Sequence, residues 1–468
     1  MTRGPGLPHG LVVELGREVR VEDDGRTLVG GAPTRLLRLS ERGARCLDGR
    51  RLVVVDATSE RLADLLLTRG AAAPVLDGLP PAELSQVTVV VPVRDRAGPL
   101  DRLLTGLGGQ VRVVVVDDCS RDPESTVRVA ARHGAELVAL ARNVGPASAR
   151  NAGLARVTTP FVAFVDSDIV VEPATLAALA RHFHQPRVAA VAPRIRGLPK
   201  TARPNWISRY ENARSSLDLG PTAALVHPRS PVGWLPGACL VARVAALGDG
   251  FTDGLRVAED VDLVWRLAAQ GWQVRHEPAA TAWHDHRIRL TAWLGRKAYY
   301  GTGAAVLAER HRGAAAPAVL TPWSAGVAVA LLAQRRWSLP VAAAMFAVLS
   351  TRLARRLPDE PRRARLAADL VGRGLVSTAG QTSALMLRHW WPLSLAGCLI
   401  SRRARRAVLV AALADGLVDH RRHAPRLDPA RFLLARRLDD LAYGAGLWTG
   451  ALRARSLRPL LPQRSDRR

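Results

Sequence analysis

Lysine, cysteine and aromatic residues are scarce in this chain of 468 residues. Lysine occurs only at positions 200 and 297, so the formal net charge of +26 is carried almost entirely by arginine. A basic excess of this size suits nucleic acid or an anionic membrane surface, but a codon bias towards arginine would produce the same composition. Neither an aromatic-rich basic groove nor zinc-finger spacing accompanies the charge, and we expect no nucleic-acid partner.

The four cysteines are widely spaced and include no Cys-x-x-Cys pair. Such cysteines are typical of buried thiols in a reducing compartment. The first residues also lack the apolar core of roughly 7–15 residues that a secretory signal peptide requires. We therefore expect the catalytic part of the protein to lie in the cytoplasm. The 48% hydrophobic composition excludes a disordered chain, and the length allows about two or three domains.

Residues 1–80 are predicted to form a small winged-helix-like α+β domain. Short apolar strands flank the turn sequence Asp23–Arg26, and two helical patterns follow, the first with Ser40 as its N-cap and the second ending near Gly70. The predicted strands are 11–15, 19–22, 28–31 and 52–55, and the predicted helices are 39–47 and 59–66. Residues 71–81, rich in proline, alanine and glycine, are predicted to be a linker.

Strands alternate with helices across residues 84–310, a pattern that predicts an α/β domain with a mostly parallel sheet. The continuous apolar run at 87–93 is typical of a strand covered on both faces, and the apolar segments 111–116 and 161–165 are also predicted strands. Acidic residues follow the runs at Asp95, Asp117, Asp118, Asp166 and Asp168. Ligands of open α/β sheets bind outside the carboxyl ends of the strands, so these carboxylates are candidates for one site.

The stretch Phe161–Asp168 ends on two carboxylates, Asp166 and Asp168. Residues two apart on an extended segment face the same side, so both side chains can reach one point beyond the strand. Oxygen ligands of this kind suit Mg²⁺ or Mn²⁺, which would also hold a diphosphate. The alternative is a solvated turn, because Asp-Ser-Asp is common turn chemistry. Upstream, a glycine-containing loop from Asn143 opens a helix whose free amides and Arg150 side chain can face an anion.

These motifs occur in the order found in family 2 glycosyltransferases of the GT-A fold, which the chain resembles over residues 84–310. The motifs are Val91-Pro92-Val93, Asp117-Asp118-Cys119-Ser120, Asn143-Val144-Gly145, Ala149–Gly153, Asp166–Asp168, Gly237–Val241 and Ala258–Leu267. The whole layout, a small N-terminal domain, this core and an arginine-rich tail, is similar to that of the glycosyltransferases of the mycofactocin system. The resemblance implies transfer of glucose from UDP-glucose to a redox cofactor derived from a ribosomal peptide.

The resemblance also assigns binding roles. Pro92, Asp95 and the pair Asp117 and Asp118 would hold the nucleoside, with Asp118 the preferred partner of the uracil edge. For Asp117, a purely structural cap is the alternative.

The metal is assigned to Asp168, helped by Asp166, with a further ligand from a histidine beyond the catalytic helix. We prefer His284 over His286 because it directly follows the apolar segment 279–283. An imidazole ligand would favour Mn²⁺ over Mg²⁺. A surface histidine is the alternative.

Asp260 matches the catalytic base of the family. It begins a helical pattern with one apolar face, which leaves the first turn at the crevice, and Glu259 or Asp262 would orient it. Loss of the acceptor proton to Asp260 with a single in-line displacement would give a β-linked product from an α-linked donor. The alternative is that these carboxylates only favour the positive end of the helix.

The N-terminal domain resembles, more weakly, peptide-binding modules of ribosomal-peptide modification. Such modules can hold a peptide, here a precursor peptide, as an added strand at a sheet edge. A regulatory or purely structural cap is the alternative.

Residues 311–468 form an arginine-rich helical tail with apolar runs at 318–334, 337–350 and 375–400. Arginine and tryptophan flank these runs, which favours a membrane surface, and we expect the protein at the cytoplasmic face of the cell membrane. A soluble helical domain that buries the same stripes is the alternative.

Two rival functions remain at this point. One is a glycosyltransferase that modifies membrane lipid or cell-wall glycan, although the Gln-x-x-Arg-Trp motif of processive family members is absent from the sequence. The other is a non-catalytic peptide-binding scaffold.

Overall fold

The structure is a computed structural model that describes residues 6–198, 204–228, 230–357 and 363–464. The chain divides into two compact units, residues 1–202 with 215–286, and residues 203–214 with 287–468. The first unit holds both the N-terminal domain and most of the predicted core domain. The helix at 290–310, expected in the core domain, belongs to the second unit.

The N-terminal domain has the predicted hairpin and helices. Its elements are β1 (Val12–Leu15), β2 (Arg20–Glu22), β3 (Thr27–Gly30), β4 (Arg35–Arg38), α1 (Glu41–Arg45), β5 (Arg51–Val53), α2 (Ala57–Thr68) and β6 (Ala72–Pro74). Ser40 caps α1 as predicted, because its side chain accepts a hydrogen bond from the Gly43 N–H at 3.1 Å. In the described residues the strands form two small sheets, ordered β5-β1-β6 and β2-β3-β4. The linker prediction is wrong at β6, which pairs antiparallel with β1.

The core domain is built on one mixed sheet. Its elements are β7 (Val87–Val93), α3 (Ala97–Leu107), β8 (Arg112–Asp117), α4 (Pro123–Arg132), β9 (Glu136–Ala139), α5 (Pro146–Leu154), β10 (Phe161–Val165), β11 (Ile169–Val170), α6 (Pro173–Ala180), β12 (Val188–Gly197), α7 (Trp206–Arg214), β13 (Ala224–Leu225), β14 (Cys239–Arg243), α8 (Val244–Leu247), α9 (Glu259–Ala269) and β15 (Gln273–His284). Of these, α7 belongs to the second unit.

The strand order of this sheet is β11-β15-β12-β14-β10-β7-β8-β9, with β13 beside β15. The strands β10, β7, β8 and β9 are parallel neighbours, and β12 and β15 run in the same direction through the antiparallel β14. The mostly parallel α/β sheet of a GT-A fold is therefore present, and the carboxyl ends of β7, β8 and β10 meet at one edge. The apolar runs form strands because valine and phenylalanine are buried on both faces.

Helix α5 lies unusually close to the sheet. A Cβ atom on Gly153 would come within 2.3 Å of Val90 Cγ1 and 3.0 Å of Val116 Cγ2. Only glycine allows this approach, which sets the position of α5 over β7 and β8.

The second unit is helical, as predicted for the tail. Its further elements are α10 (Leu290–Arg310), β16 (Val319–Leu320), α11 (Pro322–Ala333), α12 (Ser338–Ala354), α13 (Arg363–Ala384), α14 (Trp391–Ile400), α15 (Arg402–His423), α16 (Pro429–Arg453) and β17 (Gln463–Arg464). A buried ion-pair network joins α7, α10 and α16 through Lys297 Nζ, which lies 2.9 Å from Glu211 Oε1 and 3.4 Å from Asp439 Oδ2. Among the described helices, none is both long and apolar enough to cross a membrane.

Candidate active site

The two carboxylates after β10 sit at a turn rather than on a continued strand. The strand ends at Val165, and the Ile169 N–H donates to the Asp166 carbonyl at 3.0 Å. The turn gives the carboxylates different partners. Asp166 Oδ1 accepts from Arg150 Nη2 at 2.6 Å, whereas Asp168 pairs with Arg96 and lies 3.7 Å from His284 Nε2. Burial, together with the charge of Asp168, raises the pKa of Asp166 even though Arg150 opposes the shift.

Arg150 lies at the centre of the site and is only 3% exposed. Its guanidinium donates to Asp166, to Glu259 Oε1 at 2.8 Å and to the Gly237 carbonyl at 3.3 Å. Burial disfavours its charge, but the two carboxylates outweigh burial and raise the pKa of Arg150 above its ordinary value. The sequence predicted that this side chain faces an anionic ligand. In the structure its anions are two of the protein's own carboxylates, because α5 packs so closely on the sheet that Arg150 points into the interior.

Asp260 stands next to this network at the start of α9. Its Oδ2 accepts from the Gly237 N–H and its Oδ1 from the Val261 N–H, both at 2.8 Å. Burial and the neighbouring charge of Glu259 raise the pKa of Asp260 to about 7. A partly exposed carboxylate with such a pKa has the properties of a general base near neutral pH. The residue before the helix, Ala258, has φ +63°, a left-handed conformation that is uncommon for residues other than glycine.

Asp262, the other candidate on this helix, points away from the site. It is fully buried and accepts hydrogen bonds from Thr252 Oγ1 at 2.7 Å and Arg266 Nε at 3.0 Å. Of the two helpers named from the sequence, Glu259 is therefore the one that the structure brings next to Asp260.

The two acidic residues at the carboxyl end of β8, Asp117 and Asp118, hold the neighbouring loops. Asp118 accepts from the N–H groups of Val144 and Gly145 at 2.7 and 3.0 Å and from Asn143 Nδ2 at 2.8 Å. Asp117 accepts from the N–H and hydroxyl groups of Ser120. The Asp118 carboxylate thereby fixes the loop that starts α5, the helix that carries Arg150.

Asp95 and Pro92 complete this edge of the sheet. The Asp95 carboxylate accepts from the Arg121 N–H at 2.7 Å and is 38% exposed, while the Asp95 N–H donates to Ser120 Oγ. Pro92 is half-buried near the end of β7. Pro92, Asp95, Asp117 and Asp118 thus line neighbouring strand ends, and Asp95 offers an accessible carboxylate there.

Asp168 and His284 lie close enough together to contact one divalent ion. Two donors bonded to one ion at roughly 2.1 Å each lie no more than about 4.2 Å apart, and Asp168 Oδ2 and His284 Nε2 are 3.7 Å apart. The described residues contain no cluster of three or more histidine, cysteine or acidic residues that could hold a metal. A divalent ion here would need further oxygen ligands such as those of a diphosphate, a common arrangement for Mg²⁺ and Mn²⁺.

Sequence reasoning missed how these parts are connected. Arg96 was assigned no role from the sequence and Gly237 only a place in a motif, yet Arg96 pairs with Asp168 and Gly237 contacts both Arg150 and Asp260. Arg256, which donates to Asn143 Oδ1 at 2.6 Å, ties the loop before α9 to the loop before α5. Only the adjacency of Arg96 to Asp95 gave a signal for any of these contacts.

The fold and this cluster of acidic residues define a glycosyltransferase, and the chain belongs to glycosyltransferase family 2. The model described as Glycosyl transferase family 2 matches residues 88–232, and that described as Glycosyl transferase family group 2 matches residues 161–355. These matches confirm the family expected from the motifs.

Among curated proteins, the chain is similar to the pre-mycofactocin glycosyltransferase of Mycobacterium tuberculosis, with 44% identity over 472 residues that cover 98% of each chain. The poly-β-1,6-N-acetyl-D-glucosamine synthase of Staphylococcus aureus is 24% identical over 36% of this chain and 42% of that protein. Among solved structures, a mannosyltransferase from Pyrobaculum calidifontis in complex with GDP-Man and Mn²⁺ is 21% identical with a TM-score of 0.38, over 72% of this chain and 89% of that one.

Proposed function

We propose that this glycosyltransferase transfers glucose from a UDP-sugar donor to a hydroxyl group of a peptide-derived redox cofactor of the mycofactocin type. The observation that carries the proposal is the Arg150 network, which holds Asp166 after β10 and Glu259 on α9 beside the candidate base Asp260. The long alignment with a pre-mycofactocin glycosyltransferase supports this acceptor class.

In the proposed reaction Asp260 takes the proton of the acceptor hydroxyl as that oxygen attacks the anomeric carbon. The two backbone N–H groups that bind its carboxylate hold it in place, and its raised pKa keeps it basic enough to receive the proton near neutral pH. The bond to the diphosphate breaks on the opposite side of the sugar. A single displacement of this kind inverts the configuration, so an α-linked donor gives a β-glycoside.

Asp168 and His284 would hold a divalent cation, Mn²⁺ or Mg²⁺, which when bound neutralises charge on the departing diphosphate. The imidazole favours Mn²⁺. Asp166 does not bind the ion in this proposal. It pairs with Arg150, whose positive charge lies between the carboxylates of Asp166 and Glu259.

The nucleoside is proposed to bind where β7 and β8 end, beside Pro92, Asp95, Asp117 and Asp118. Asp118 remains our candidate for the uracil edge. The hydrogen bonds that it accepts from the loop at 143–145 give it a fixed orientation for such a contact.

The N-terminal domain is proposed to bind a precursor peptide or the peptide-derived acceptor. Strand β4 lies at one edge of its sheet and presents exposed Arg35, Leu36 and Arg38. An edge strand can accept an extended peptide through its main-chain groups, and arginines would favour an acidic one.

A comparison of cell extracts with and without the chain tests this function. Mass spectrometry should detect hexose-bearing, water-soluble derivatives of a small peptide-derived compound only in cells that contain the chain, and an Asp260→Asn variant should not restore them. A lipid-extractable glycoside in their place would favour the membrane-lipid or cell-wall alternative. Unchanged glycosylated metabolites would contradict the proposal and favour a non-catalytic scaffold.

A further inference from the structure

The second unit exposes large apolar side chains where three of its helices end or begin. Leu331 and Leu332 lie in the last turn of α11. Trp337 directly precedes α12, and Leu339 lies in its first turn. Leu399 and Ile400 are the last two residues of α14. Leu339, Leu399 and Ile400 are 73%, 78% and 88% exposed, and the other three are also exposed. Single exposed apolar side chains are common on protein surfaces, whereas several grouped together mark an interaction surface.

One hydrogen bond joins the end of α11 to the start of α15, next to the end of α14. Gln334, the residue after α11, donates from Nε2 to the Arg403 carbonyl at 2.8 Å, and Arg403 lies in the first turn of α15, which follows α14. A tight turn follows Gln334, because the Arg335 N–H donates to Ser338 Oγ at 2.9 Å. The segments 331–339 and 399–406 therefore form one surface, here called the docking patch.

The docking patch is also strongly basic. Its exposed arginines are Arg335, Arg336, Arg402, Arg403, Arg405 and Arg406. Neither segment contains an acidic residue. The patch thus combines exposed apolar side chains with exposed arginines, and its own segments supply no carboxylate to neutralise that charge.

We propose that the docking patch binds the surface of an anionic lipid bilayer. Arginines are attracted to anionic headgroups, while leucine, isoleucine and tryptophan side chains insert at the boundary between headgroups and acyl chains. Stable attachment needs two such signals together, and the patch supplies both. A second copy of the chain is a poor occupant, because it would bring its own arginines against these.

Vesicle flotation of the full chain tests this surface. The protein should float with vesicles that contain phosphatidylglycerol and stay at the bottom with pure phosphatidylcholine. Raising NaCl from about 0.1 M to about 1 M shortens the screening length from about 10 Å to about 3 Å and should release most of the protein. Equal binding to both vesicle types, or no binding to either, would overturn the proposal.

Substitutions of the exposed arginines test whether vesicle binding depends on their charge. Changing Arg402, Arg403, Arg405 and Arg406 together to glutamine should weaken binding by roughly a hundredfold or more, whereas changing the same four to lysine should preserve it. The matched control replaces Arg421 and Arg422, which are exposed elsewhere on α15, with glutamine and should bind as the unaltered chain does.

A second pair of variants tests the apolar tips. Leu399→Asp with Ile400→Asp should abolish flotation, while Leu452→Asp, at a 69% exposed leucine near the end of α16, should not. Circular dichroism should show the same helix content in every variant. Equal losses in the patch and control variants, or a patch variant that changes the oligomeric state and leaves lipid binding intact, would refute a lipid-binding role.

Discussion

Asp260 is the proposed base, and burial together with the charge of Glu259 raises its pKa to about 7. A base must be ionised to accept a proton, so kcat/KM for sugar transfer should rise with pH through a midpoint at about 7 and level off about one pH unit higher. Glu259→Gln removes the charge that disfavours ionisation of Asp260 and should move the midpoint of this profile to lower pH. The profile of Asp249→Asn, at an exposed residue outside the network, should match that of the unaltered chain. A midpoint that does not respond to Glu259→Gln would rule out Asp260 as the titrating base.

Arg150 should affect both stability and the same pH profile. Arg150→Met leaves Asp166 and Glu259 without their shared cation and should lower the free energy of unfolding by about 3–5 kcal/mol in urea titrations. Because Arg150 lowers the pKa of Asp260, its loss should shift the midpoint of kcat/KM to higher pH, opposite to Glu259→Gln. Arg156→Met, at a side chain 59% exposed and paired only loosely with Glu136, should cost no more than about 1 kcal/mol. A stability loss without the pH shift would limit Arg150 to a structural role.

The metal assignment at Asp168 and His284 can be tested without activity. Titration of Mn²⁺ in the presence of UDP, followed by electron paramagnetic resonance, should show binding that His284→Ala weakens by at least about tenfold and that Asp168→Asn abolishes. His227→Ala, at an exposed histidine elsewhere in the first unit, serves as the control. Undiminished binding in both site variants would place the ion elsewhere.

At the scale of elements, the site depends on how closely α5 approaches the sheet. Gly153→Ala would place a methyl group 2.3 Å from Val90 Cγ1, so the helix must shift and carry Arg150 with it. We expect a loss of roughly 1–3 kcal/mol in unfolding free energy, measured by urea denaturation, together with a lower kcat. Gly98→Ala in α3 provides the contrast, because its Cβ would meet no atom within 4 Å, and it should be neutral or stabilising by up to about 1 kcal/mol. Similar losses in the two variants would argue against close packing of α5.

The elements show what could be read from the sequence and what could not. The valine runs of β7 and β8 and the start of α9 were predictable, because continuous apolar runs and helical spacing are local signals. Strand β6 was missed because Ala72–Pro74 is short and contains a proline that only an edge strand tolerates. The partners of Arg150 could not be predicted, since they come from segments 16 and 109 residues away along the chain.

At the scale of the whole molecule, the arginine excess separates into two uses. Some arginines are buried in ion pairs, such as Arg150 in the first unit and Arg436 with Asp440 in the second. Others are exposed in the docking patch, where no carboxylate of the same segments balances them. Composition alone could not distinguish these uses, because both contribute equally to the net charge of +26.

The most direct test of the central claim is sugar transfer by the purified full chain, measured by mass spectrometry with UDP-glucose, Mn²⁺ and a peptide-derived acceptor at pH 8. The unaltered chain should add hexose to the acceptor, Asp260→Asn should reduce the rate by roughly 10²–10⁴-fold, and Asp249→Asn should leave it unchanged. Transfer at an equal rate in Asp260→Asn, or no transfer from any nucleotide sugar by the unaltered chain, would contradict it.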